Sequence, residues 1–207
     1  MMPLPRSKRL MALVALAVAT ISCGDVVRQG RSPMYLVIDR LEGARGGPES
    51  QTFGTPVTSD VITNVTSPDP CSTSSPCPTI FNDLGRALVR AVPKDATLAP
   101  TTNNDVTITR YRVSYQRTDG RNTQGSDVPY AFDGAVTGTV PANGSLTLSF
   151  DLVRHAAKIE APLVQLASNA TFLTTIVEVT FYGRDQVGNE VSVSGLIQVN
   201  FGNFGDF

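Results

Sequence analysis

The sequence predicts an all-β fold, an antiparallel sandwich with one short helical crossover, and three observations carry that prediction. Apolar and polar residues alternate with period two through most of the second half, the mark of strands buried on one side. Gly, Pro, Asn and Ser punctuate these runs at short intervals. Helical spacing is confined to little more than one stretch. Seven or more strands in this arrangement argue for two packed antiparallel sheets.

The elements follow in order. "MYLVIDRLEG", residues 34 to 43, is aliphatic and ends at glycine, so it reads as the first strand. From Gly46 to Asn104 the pattern weakens, and the Pro-rich segments "NVTSPDPCSTSSPCP" and "VPKDATLAPTTNN" read as loops. Between them "GRALVRAV" has apolar residues at Leu88 and Val92, with Val89 out of phase, and is read as a strand, with a short helix as the alternative if the turn at Gly85 extends. In "VTITRYRVSYQR" the apolar phase changes from Val106 and Ile108 to Tyr111, Val113 and Tyr115, as one inserted bulge residue requires. "AVTGTV" puts Val136 and Val140 on one face, and "SLTLSFDLV" does so with Leu146, Leu148, Phe150 and Leu152. "RHAAKIEAPLVQLASN", 154 to 169, spaces Ile159, Leu163 and Leu166 helically and is the crossover. "TTIVEVTFYG" aligns Val177, Val179 and Phe181; "EVSVSGLIQVNF" aligns Val191, Val193, Ile197, Val199 and Phe201, with Gly195 interrupting. "RDQVGN" between these two carries a Gly-Asn turn signal and reads as their hairpin.

The segments "VEVTFYGRDQVGNEVSVSGLIQV" and "ITRYRVSYQRTDG" resemble those of a bacterial immunoglobulin-like or fibronectin-type domain. The resemblance spans about residues 105 to 202 and implies an immunoglobulin-like β-sandwich. The chain has no tryptophan and no cysteine pair at the usual inter-sheet positions, so an antibody-type domain is not implied.

The N-terminus predicts a location. Arg6, Lys8 and Arg9 precede an apolar run from Leu10 to Ile21, followed by Ser22, Cys23 and Gly24, the order of a secretory signal. The run falls short of the roughly 20 apolar residues that a spanning helix needs. "TISC" resembles the lipobox of a bacterial lipoprotein, with Thr20 where leucine is usual, and that resemblance implies cleavage before Cys23 and its lipidation. Cysteine usage agrees: Cys71 and Cys77 in "CSTSSPC" can pair as a disulfide, leaving Cys23 over. The expected division is a signal peptide over 1–22, a lipidated tether over 23–33, and a single sandwich domain over 34–207. In a two-membrane bacterium the absence of aspartate at position 24 favours the outer membrane, facing periplasm or exterior.

Composition narrows the function. Three of the 17 Lys and Arg leave with the signal while all 18 Asp and Glu remain, so the mature chain is acidic and nucleic acid is not an expected partner. The chain has one histidine, His155, and no Gly-x-Ser-x-Gly or phosphate-binding glycine loop, so neither a catalytic site nor a metal or cofactor site is expected. The richest polar segment is "RTDGRNTQGSDVPYAFDG", which supplies Arg117, Asp119, Arg121, Asp127, Tyr130 and Asp133 as a candidate binding loop for sugar, peptide or calcium. A plain polar loop held by Asx turns is the alternative. Arg110, Arg112, Arg117 and Arg184 form a candidate basic stripe. The expected protein is a non-catalytic, lipid-anchored envelope module that presents the 117–133 loop and the 184–189 hairpin to a protein or glycan. A glycan hydrolase using Asp119, Asp127 and Asp133, and a purely structural accessory subunit, are the rival readings.

Overall fold

A computed structural model describes residues 30–48, 51–97 and 99–204. Cys23, the signal segment and most of the expected tether lie outside the described residues. The strands are β1 (Met34–Ala44), β2 (Val57–Asp60), β3 (Thr63–Val65), β4 (Cys77–Thr79), β5 (Asp83–Pro93), β6 (Val106–Gln116), β7 (Phe132–Val140), β8 (Ser145–Val153), β9 (Leu173–Asp185) and β10 (Glu190–Gly202). A three-stranded sheet, β1-β5-β8, faces a five-stranded sheet, β2-β10-β9-β6-β7. All pairings in the two sheets are antiparallel except β2 with β10, which is parallel. The result is an all-β sandwich with a short helical crossover, as expected.

The two sheets meet through aromatic rings. Phe150 of β8 lies 5.2 Å from both Phe181 of β9 and Tyr111 of β6, centroid to centroid. The Tyr115 hydroxyl, sealed in the core, donates to the Leu152 carbonyl across the interface at 2.8 Å. These contacts lie on the faces that alternation selects: Val177, Val179 and Phe181 are fully buried, as are Val199 and Phe201. The phase change in β6 is a real bulge, with the register against both β7 and β9 shifting between Ile108 and Arg110.

Two expectations need correction. In β5 the inward residues are Gly85, Ala87, Val89 and Ala91, whereas Leu88 and Val92 point outward. Small residues are selected there because the facing ring leaves little depth: a Cβ on Gly85 would sit 2.3 Å from the Phe150 ring. The crossover is also less regular than its spacing predicts. Helix α1 covers only His155–Lys158, and a 3-10 turn covers Leu163–Ser168. Pro162 cannot continue a preceding helix, so Ile159 never joins a common face with Leu163 and is left exposed.

The register gives the sandwich two distinct ends. At one, Met34 opposes Pro93, Ser145 opposes Arg90 and Val106 opposes Asp185, and the chain enters there. Lys94 secures that entry, its amide donating to the Pro33 carbonyl at 2.8 Å and its Nζ to the Gly30 carbonyl at 3.3 Å. At the other, Ala44 opposes Leu84, Gln116 opposes Ile176, and Leu173 opposes Phe201. From that second end emerge the 45–82 excursion with its β3–β4 pair, the 117–131 loop, and the crossover.

Candidate functional site

The 117–131 segment is a built loop. Val128, fully buried, pins its middle to the core, and Gly125 donates to the Val128 carbonyl at 2.8 Å. Gly120 and Gly125 take φ of +83° and +76°, left-handed values that glycine adopts without strain. Asn122 closes the first turn by accepting from the Arg117 amide at 2.6 Å, and Asp127 accepts from the Thr123 amide at 3.2 Å. Tyr130 folds over Gly125, where any Cβ would meet its ring, yet remains 57% exposed.

The charged residues divide into two groups. Asp119 is gripped by Arg117 through Nε at 3.0 Å and by Nη2, and by Arg121 through Nε and Nη2 at 3.1 Å each. The hydrogen-bonded Arg117 guanidinium holds the Asp119 carboxyl well below the ordinary carboxylate range. Asp133 is elsewhere: it stands on β7 opposite Arg112, bridging Arg110 at 2.9 Å and Arg112 at 2.6 Å. The candidate loop therefore brings Arg117, Asp119 and Arg121 together, but not Asp133. Asp127 serves a backbone turn.

The basic stripe is likewise interrupted by acids. Arg110 stacks on the Tyr182 ring at 3.9 Å while it pairs with Asp133, and Arg184 pairs with Glu190 at 2.8 Å. Between them is a depression of about 220 Å³ bordered by Thr109, Arg110, Tyr182, Arg184, Glu190 and Ser192. Arg117 belongs to the Asp119 cluster instead.

Two loops expected to act together are separated. β6 has eleven residues and spans about 33 Å at a strand's rise. The 117–131 loop leaves its Gln116 end, while the β9–β10 hairpin sits beside Val106. The hairpin itself is as expected, with Gly188 at φ +89° and Asp185 accepting from the Val187 and Asn189 amides.

No family model, curated protein or solved structure matches the chain. Its chemistry must therefore be read from the residues. His155 is exposed, with its amide and Nδ1 both on the Asn82 side-chain oxygen at 2.7 and 3.1 Å. Among the described residues no three His, Cys, Asp or Glu side chains converge to hold a metal ion. Cys71 and Cys77 form the expected disulfide.

One charged cluster escaped the sequence reading. Asp83, Ser59 and Lys158 meet in the core at the loop end of the sandwich. A lysine four residues into a polar crossover carries no signal of burial, and only the tertiary fold turns it inward.

Proposed function

We infer that this protein is a non-catalytic, lipid-anchored module of the cell envelope whose loop-rich end is held away from the membrane to engage a protein or glycan. The observation that carries this reading is the polarity of the sandwich. The chain enters at the Met34 and Pro93 end, while the 45–82, 117–131 and crossover segments leave from the opposite end. Seven residue steps lead from Cys23 to Gly30, a reach of at most about 25 Å, so a lipid on Cys23 would hold the entry end near the bilayer. The β9–β10 hairpin would then face the membrane, and Tyr130 and Arg121 would face outward. The immunoglobulin-like reading draws support from the strand order, since β1-β5-β8 opposing β10-β9-β6-β7 follows the A-B-E and G-F-C-C′ strands of that sandwich. Loops on a rigid sandwich are its usual recognition elements.

The test is photo-crosslinking in cells from a probe at position 130, compared with the same probe at Val187 on the hairpin. A protein or glycan adduct from position 130 with none of it from position 187 is the expected result. The same partner captured from both positions, or from 187 alone, would refute the orientation. Cys23→Ala should release the protein from the membrane fraction; retention would refute the anchor.

A further inference from the structure

The buried cluster at the loop end has a chemistry of its own. Asp83 opens β5, Lys158 closes α1, Ser59 lies on β2 and Gly46 follows β1, so four segments converge on one carboxyl group. Lys158 Nζ is 2.9 Å from Asp83 Oδ1, with side-chain exposures of 1% and 0%. The Gly46 amide donates to the same Oδ1 at 2.8 Å, and the Ser59 hydroxyl donates to Oδ2 at 2.5 Å.

As an ion pair this arrangement is badly matched. An ammonium carries three N–H donors, and among the described residues the acceptor within reach of Lys158 is Asp83 alone. A charged group removed from water with donors unmet is costly, and a dry pair escapes part of that cost when the proton passes from amine to carboxylate. Burial, the largest influence on Asp83, pushes its carboxyl up, in the direction of that transfer. The Lys158 nitrogen and the Asp83 carboxyl are thus held in contact and out of water.

We propose that Lys158 and Asp83 condense into an intramolecular amide that bolts the crossover to β5. In this step the Nζ lone pair forms a bond to Cγ of the protonated acid. Oδ1 takes the charge of the tetrahedral intermediate, where the Gly46 amide already donates to it. One amine proton passes to Oδ2, which carries the proton of the acid, with the Ser59 hydroxyl placed to relay it; the Cγ–Oδ2 bond breaks as the Cγ=Oδ1 carbonyl re-forms, and Oδ2 leaves as water. Nothing is oxidised or reduced, and no co-reactant is needed. The product replaces three ammonium donors with a single amide N–H. It also ties the crossover covalently across a separation of 75 residues.

Peptide mapping of the full-length protein, denatured and cut with trypsin, decides the matter. The sequence has no Lys or Arg between Arg45 and Arg86, and between Arg154 and Arg184 only Lys158. An amide at Lys158 abolishes cleavage there, so fragments 46–86 and 155–184 should travel as one branched species, lighter by one water than their sum. In Lys158→Arg, fragment 46–86 should run free and cleavage after position 158 should return. The wild-type map is sufficient by itself if that variant does not fold. Free 46–86 together with cleavage after Lys158 in the wild-type protein would overturn the proposal. So would a loss of water confined to 46–86, which marks cyclisation of an aspartate within that fragment. Ser59→Ala should lower the linked fraction in samples of equal age, and an unchanged fraction would remove Ser59 from the step.

Discussion

Phe172 and Phe181 are the same residue type nine positions apart, and the fold assigns them opposite fates. Phe172 precedes β9 and is 71% exposed, while Phe181 is fully buried. The Phe181 ring meets Phe150 edge-on at 5.2 Å and Tyr111 at 6.4 Å, so it touches both sheets. Truncating a buried phenylalanine to alanine removes its transfer free energy and leaves a cavity, about 3 to 5 kcal/mol in well-packed cores. Loss of two aromatic contacts adds roughly 0.5 to 1.5 kcal/mol each at most, already partly counted in that range. Phe181→Ala should therefore cost about 4 kcal/mol, a large share of the 5 to 15 kcal/mol typical of a domain. For a domain of this size that lowers Tm by roughly 10 °C. Phe172→Ala should stay within about 0.5 kcal/mol, as surface changes do. Urea unfolding monitored by circular dichroism measures both. Equal effects from the two variants would refute the assignment of the interior face of β9, and with it the packing of the two sheets.

Other predictions follow from the same geometry. Gly85→Ala would drive a Cβ to 2.3 Å from the Phe150 ring and should cost about 1 to 3 kcal/mol, whereas Gly54→Ala meets nothing within 4 Å and should be neutral; thermal unfolding compares them. Cys71→Ser opens a loop closed across six positions, where the chain-entropy estimate gives about 2 kcal/mol. That loss should concentrate in the β3–β4 pair, and hydrogen exchange confined to other segments would contradict it. Asp39, Asp95 and Asp119 are each held below their ordinary value of 3.8, the first by Arg90, the second by Thr97 and the third by Arg117. Their folded forms bind protons less readily than the unfolded chain, so the stability they confer is present above about pH 4 and is lost as pH falls below it. Asp119→Asn should flatten the acid side of a Tm-against-pH curve; an unchanged slope would remove Asp119 from that account.

The second half of the fold was legible because its strands are buried on one face, which writes alternation into the sequence. Even the β6 bulge left a trace, as a change of phase between Ile108 and Tyr111. The first half was not, and the reason lies in what holds it. β2 is four residues long and pairs in parallel with β10, about 140 positions away, so its stability comes from a partner that no local window contains. β5 misleads by size: its outward Leu88 and Val92 are larger than the inward Gly85 and Ala87, because Phe150 fills the space from the other side. The disulfide was readable from the short "CSTSSPC" spacing together with the odd cysteine count. In the candidate loop the sequence named the residues, but their grouping depends on register, which sets Asp133 against Arg112 and leaves Asp119 to Arg117 and Arg121.

That grouping bears on what the loop end can recognise. A carboxylate that acts as a general acid needs a raised pKa, yet Asp119 is held low by two guanidiniums. Asp133 is bridged by two arginines on a strand, and Asp127 is committed to a turn. A ligand that sought any of these acids would have to displace an arginine or a backbone amide. What the loop offers without such displacement is the exposed Tyr130 ring and the outer edge of Arg121, whose side chain is 64% exposed and whose cluster carries one positive charge in excess. An aromatic plane and a guanidinium suit the hydrophobic face of a sugar or an acidic peptide, and the recognition proposed for this end should rest on them. Tyr130→Ala and Arg121→Ala should then each weaken capture of the partner at least tenfold, while Asp133→Asn leaves it unchanged. The reverse order of effects would move the binding surface to the outer face of the five-stranded sheet.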